Sequence, residues 1–108
     1  MNELKIIQDW YSSHCNGDWE HQKCVRINTI DNPGWRIVVN LENTFLEGIK
    51  RKPIQIENTE EDWIHINIEN SKIKVYCGAM NLIESIKMVA LILKEDTEYQ
   101  ASISHVNS

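Results

Sequence analysis

The sequence predicts an α+β fold: an N-terminal helix, a four- to five-stranded antiparallel sheet and a C-terminal helix, arranged as a two-layer sandwich. Near each end of the chain, apolar residues recur every three or four positions, which is typical of amphipathic helices. Between these ends lie short segments in which apolar and polar residues alternate, which is typical of strands with one buried face. Such a sheet packs its apolar face on the helices, and its other face meets water or a partner.

The first helix is predicted over residues 3–14, with Asn2 placed to cap its N-terminus. Asn16-Gly17 is predicted to end the helix, because Gly adopts the left-handed conformation common at helix C-termini. Helical spacing relates the four residues of the predicted buried stripe, which are Leu4, Ile7, Trp10 and Tyr11.

Alternation over residues 24–30 and 35–41 predicts the first β-hairpin. The turn between them is Asp31-Asn32-Pro33-Gly34, in which Pro fixes φ and Gly is free to take a positive φ. The predicted inward face of the second strand consists of Trp35, Ile37, Val39 and Leu41.

Residues 42–53 are predicted to form a loop, and its Lys50-Arg51-Lys52 run is interpreted as solvated. A short strand over 54–57 and an acidic turn over 58–62 follow. Residues 63–69 alternate, so that three Ile residues point inward while Trp63, His65 and Asn67 point outward. Asn70-Ser71 then turns the chain into a strand over 72–77.

Asn81 and Glu84 resemble a capping box at the start of the last helix. Its apolar stripe, Leu82, Ile86, Val89 and Leu93, is wide enough to cover a sheet. We expect a single domain over residues 1–95 and a polar, frayed tail over residues 96–108.

The charge and composition of the chain indicate which partners and which cellular location to expect. Sixteen acidic and eleven basic residues give a net charge of −5, which argues against direct nucleic-acid binding and suits a cationic protein partner. The N-terminus has no basic region typical of a signal peptide, and no segment has the roughly 20 apolar residues of a membrane span. Three cysteines at no disulfide spacing indicate reduced thiols, so we expect a cytoplasmic protein without membrane contact.

Residues 14–24, HCNGDWEHQKC, concentrate chemically active side chains. A metal-binding or catalytic domain centred on Cys15, His21 and Cys24 is one hypothesis, although the spacing does not match the usual zinc patterns. Asp18 and Glu20 would also raise the pKa of a cysteine nucleophile. No phosphate loop, nucleophile elbow or H-E-x-x-H motif occurs, so the sequence indicates neither an enzyme nor a cofactor.

The aromatic residues favour a different hypothesis, in which this protein presents an interaction surface to a partner. Trp10 and Trp35 are interpreted as core residues. Trp63 is predicted to face outward beside His65, and Trp19 lies between two carboxylates. Exposed Trp beside charges is typical of interface anchors, because it buries much area at little entropic cost.

Four segments together resemble the immunity protein 53 family, small bacterial proteins of polymorphic toxin systems: Trp10-Tyr11, Cys15 to His21, Asp31 to Trp35, and Asp62-Trp63-Ile64. The resemblance runs from about residue 4 to residue 94. It implies a protein that is not an enzyme and that binds and neutralises a cognate toxin domain, of which a cationic nuclease would fit the charge. An uncovered sheet face would serve a homodimer equally well. A generic interaction module is the remaining alternative. The expected toxin-binding residues are Asp18, Trp19, Glu20, His21, Asp31, Trp63 and His65.

Overall fold

Five antiparallel strands form one sheet in the order β1-β2-β5-β4-β3 in a computed structural model of the chain, which describes residues 2–106 and the side chains of residues 2–98. The predicted α+β class is confirmed, with a helix before the sheet and a helix after it. The elements are α1 (Asn2–His14), α2 (Trp19–Gln22), β1 (Val25–Ile30), β2 (Gly34–Asn40), β3 (Arg51–Glu57), β4 (Trp63–Glu69), β5 (Lys72–Gly78) and α3 (Leu82–Val106).

Tight turns set the register of the sheet. Asn70 and Ser71 both have positive φ, 55° and 57°, as the two central residues of a hairpin turn whose twist matches the strands. The β1–β2 hairpin forms as predicted, but Gly34 does not take the expected positive φ. A side chain there would place its Cβ 2.2 Å from the carbonyl oxygen of Cys77, so glycine is required for the close approach of β5.

Alternation along the three central strands directs one set of side chains into the core. The inward residues of β4 are buried, as the sequence predicts. In the predicted stripe of α3, Ile86, Val89 and Leu93 are buried, and Leu82 at the start of the helix is half-buried. α1 packs chiefly on α3 rather than flat on the sheet. Only part of its predicted stripe is therefore buried: Ile7 and Trp10 are buried, whereas Leu4 is 47% exposed and Tyr11 is also exposed.

Edge strand β3 begins earlier than predicted, at Arg51. It tolerates Pro53 because an edge strand does not need every backbone donor, and its pairing with β4 is irregular between Arg51 and Ile54. The basic run is exposed, as interpreted, but the loop predicted over residues 42–53 ends before Arg51, because Arg51 and Lys52 belong to β3. The exposed guanidinium of Arg51 pairs with both oxygens of Glu95 on α3 at 2.6 and 3.2 Å.

The last helix also extends further than predicted. We expected polar, tail-like sequence from residue 96, but α3 continues to Val106. Asp96, the first residue of that expected tail, is fully buried and hydrogen bonded to three groups, which explains the continued packing of the helix. No helix in the described part of the chain combines the length and apolar character needed to span a membrane.

Candidate functional site

The predicted contact residues fall into two groups at opposite ends of the sheet. Asp18, Trp19, Glu20 and His21 lie at α2, just before β1 begins. Asp31 lies in the turn after β1, and Trp63 and His65 lie on β4 at that same end. β1 has six residues, which separates the groups by roughly 20 Å. The structure therefore does not bring the two groups together.

Asn16 and Glu20 build the turn that starts α2. The Asn16 side-chain oxygen accepts hydrogen bonds from the backbone N–H groups of Asp18 and Trp19, both at 3.0 Å. Glu20 in return accepts from the backbone N–H groups of Asn16 and Gly17 at 2.9 and 2.8 Å. Hydrogen bonds from its own backbone N–H and from those two groups lower the pKa of Glu20. The motif therefore has a local structural role like that of a capping box.

Trp19 is a core residue, and the expectation that it is an exposed anchor is wrong. It is 5% exposed, and its indole N–H donates to the backbone oxygen of Glu42 at 2.9 Å. Its ring meets the ring of Trp10 edge-on, with centroids 5.8 Å apart. Trp19 therefore fastens α2 to α1 and to the loop after β2.

Asp96 connects the same region to α3. One carboxylate oxygen accepts from the indole N–H of Trp10 at 2.6 Å and lies 2.8 Å from Nε2 of His14. The other accepts from the backbone N–H of Phe45 at 3.1 Å.

Sequence reasoning missed Asp96, although a signal was present. The apolar stripe of α3 includes Val89 and Leu93, and residue 96 is its next member at helical spacing. A carboxylate on the buried face of a helix requires partners, and the Trp and His of α1 were available candidates.

The cysteine cluster does not form a site in the structure. Exposed Cys15 donates its Sγ proton to the backbone oxygen of Tyr11 at 3.3 Å, and Cys24 is half-buried. Burial raises the pKa of the Cys77 thiol. Among the residues whose side chains are described, no three His, Cys, Asp or Glu side chains converge as metal ligands. The alternative centred on Cys15, His21 and Cys24 therefore gains no support.

A polar depression of about 630 Å³ lies beside α2 and includes Asp18 and His21 in its wall. Most of the neighbouring polar groups are used internally. Lys23, for example, pairs with Glu42 at 3.0 Å and lowers the pKa of that carboxyl through hydrogen bonding and charge. This depression is therefore built largely from groups that hold α2 in place.

The hollow on the other end of the sheet, called here the aromatic hollow, lies on the face that the helices leave uncovered. It has a volume of about 650 Å³, within the range of protein binding pockets. Gly34 pairs with Gly78 at this end, so neither β2 nor β5 supplies a side chain at that level of the sheet. The hollow is lined by Ile30, Asn32, Glu57, Asn58, Thr59, Glu60, Trp63, His65 and Tyr76.

Three half-buried rings dominate the aromatic hollow. The rings of Trp63 and His65 have centroids 5.1 Å apart, and Nε2 of His65 lies 2.7 Å from a carboxylate oxygen of Glu57. Tyr76 receives a hydrogen bond at 3.3 Å from the Nε of Arg36, whose guanidinium carbon lies 5.9 Å from the Tyr76 ring centroid. The outward orientation predicted for Trp63 and His65 is confirmed.

Asn81 and Asp62 fix the wall of the hollow. The Asn81 side chain accepts from the backbone N–H of Trp63 at 3.4 Å and donates to Asp62 at 2.9 Å. Asn81 therefore ties the start of α3 to β4 and the acidic turn, a role that the capping-box interpretation did not foresee.

The four tryptophans differ in whether their indole N–H groups have a hydrogen-bond acceptor. The indole N–H of Trp10 donates to the carboxylate of Asp96. Those of Trp19 and Trp35 donate to the backbone oxygens of Glu42 and Ala79, respectively. The indole N–H of Trp63 has no hydrogen-bond acceptor among the described residues, and its ring lines the aromatic hollow. A tryptophan with a free donor at a concave surface is well suited to a partner that brings an acceptor.

Comparison with known proteins decides the family, since the family model of immunity protein 53 matches residues 4–94. The chain belongs to the immunity protein 53 family. No match was found among curated proteins or among solved structures. In this immunity protein the whole lining of the aromatic hollow falls within the matched residues, whereas Asp96 lies just beyond them.

Proposed function

We propose that this immunity protein neutralises a cognate toxin domain by binding it directly, without catalysis, through the aromatic hollow. The contacts would centre on Trp63 and His65, with Asp31 at the neighbouring turn. The family supports an immunity function, and the toxin domain is the partner that such a function requires. Asp18, Glu20 and His21 would lie outside the centre of the contact, because α2 is at the opposite end of the sheet.

The observation that carries this proposal is the set of half-buried rings on an uncovered sheet face. Interface hot spots are enriched in Trp and Tyr that sit in partly desolvated pockets, where one ring contributes much of the affinity. In the helical layer, by contrast, Trp10 and Trp19 are buried and their donors are used.

Charge supports a cationic toxin. The chain has a net charge of −5, and Glu57 and Glu60 line the hollow with Asp31 and the acidic turn nearby. Opposite charge accelerates encounter and disfavours wrong partners. A nuclease domain with a basic substrate-binding surface would meet this requirement.

Calorimetric titration against the toxin domain encoded next to this protein, inactivated by substitution if necessary, tests the proposal. We expect a dissociation constant in the nanomolar range, which corresponds to about −12 kcal/mol. The same toxin domain titrated with an unrelated acidic protein of similar size controls for nonspecific attraction. No heat of binding at tens of micromolar would contradict the proposed function.

A further inference from the structure

The wall of the aromatic hollow combines carboxylates with an aromatic face, and it contains no Lys or Arg side chain. We infer that it binds an arginine side chain of the toxin, with the guanidinium packed on Trp63 and paired with Glu57 and Glu60. This inference rests on the proposed function and specifies the chemistry of the contact.

The first argument is charge. Glu57 and Glu60 line the hollow, and no Lys or Arg does. Glu57 uses one oxygen for His65, and Glu60 makes no hydrogen bond or ion pair with any described residue. Asp62, in contrast, is occupied by Asn58 and Asn81. The hollow therefore holds carboxylate oxygens that are not needed to build the fold.

The second argument is the aromatic surface. A cation placed over a ring is attracted by its negative face, and Trp attracts it most strongly. Arg36 already lies against Tyr76 on this same sheet face, with its guanidinium carbon 5.9 Å from the ring centroid. Because Arg36 occupies Tyr76, the ring left for an incoming cation is that of Trp63.

The third argument distinguishes arginine from lysine. A guanidinium is planar, stacks on a ring and still presents several donors to carboxylates in its plane. Trp63 and Glu57 face one another in the β3–β4 register, so one flat cation would meet both. An ammonium is compact and strongly hydrated and would not use the two together as well.

The test compares two double variants that each remove two negative charges. Glu57→Gln with Glu60→Gln alters the hollow, and Glu47→Gln with Glu98→Gln alters two exposed carboxylates outside it. Both variants therefore have the same net charge, and they differ in where the charge is removed. We expect the hollow variant to bind the toxin domain at least about tenfold more weakly than the control variant, because only it loses a close charge contact. Gln at position 57 keeps an acceptor for His65, and circular dichroism checks the fold of both variants.

Arginine-to-glutamine variants of the toxin domain then identify the partner residue. Double-mutant cycles with the hollow variant should give coupling to one arginine and none to the others. Equal affinities of the hollow and control variants, or coupling only to lysines, would overturn the arginine contact while leaving toxin binding intact. No binding by the unaltered protein would overturn the proposed function itself.

Discussion

Two histidine–carboxylate pairs of nearly equal length lie in opposite surroundings in this protein. His14 and Asp96 are 2.8 Å apart, with Asp96 fully buried and His14 only 11% exposed. His65 and Glu57 are 2.7 Å apart, with side chains 37% and 65% exposed. The buried carboxylate has two further donors, Trp10 and Phe45, whereas Glu57 keeps an oxygen free of described partners. Distance alone therefore does not distinguish a structural pair from one available to a partner, but burial and the number of donors do.

Asp96→Ala should have the largest effect on stability. It removes the buried carboxylate that accepts from the indole N–H of Trp10 and from the backbone N–H of Phe45 and that lies 2.8 Å from Nε2 of His14. Removing one partner of such a network lowers the free energy of unfolding by about 3–5 kcal/mol. Urea denaturation measures this, with Glu57→Ala as the matched control, expected to change it by less than about 1 kcal/mol. A similar change in both variants would contradict the comparison.

Trp19→Phe should have the next largest effect on stability. It removes the hydrogen bond to the backbone oxygen of Glu42 and leaves space in a packed aromatic cluster. We expect the free energy of unfolding to fall by about 2 kcal/mol. Trp63→Phe, at the half-buried position, serves as the control and should lower it far less. The reverse order would place Trp63, rather than Trp19, in the core.

Trp63→Ala should weaken toxin binding about tenfold or more, because it removes the largest ring of the aromatic hollow together with its free donor. Thermal unfolding should show that the variant remains folded. Calorimetric titration gives the affinity, and Asn28→Ala, on the same sheet face outside the hollow, provides a control. Unchanged affinity would exclude Trp63 from the contact.

Acid should have the smallest effect, through Glu20. Its pKa is lower in the folded protein than the ordinary value of 4.5. The stability that it contributes is therefore fully present above pH 4.5 and is lost as the pH falls through the lowered pKa. Glu20→Gln should remove this part of the acid dependence. Unfolding followed from pH 6 to pH 2 in both proteins checks it, and identical pH profiles would show that the capping carboxylate does not affect stability.

The strands and their faces were predictable, because alternation is a local pattern that a half-buried sheet imposes on its own sequence. Ile64, Ile66 and Ile68 are buried, and Trp63 and His65 face the other way, as predicted. The turn at Asn70-Ser71 was likewise predictable from its residue types.

Features that depend on a distant partner were not predictable in the same way. The exposed position assigned to Trp19 followed from its acidic neighbours, but its burial is set by Trp10 and by the loop containing Glu42. The need for Gly34 arises from the carbonyl of Cys77, which lies on another strand. Glu57 and Tyr76 line one hollow because β4, which carries Trp63 and His65, lies between β3 and β5 in the sheet.

The position of Asp96 matters for anyone who shortens the gene. The match to the immunity protein 53 family stops at residue 94, which makes it a tempting place to end an expressed fragment. A fragment covering only residues 4–94 would lose the acceptor shared by Trp10 and His14, together with the Glu95 partner of Arg51. Such a fragment would keep every residue of the aromatic hollow and yet yield poorly folded material, so failure to bind a toxin would say nothing about the hollow.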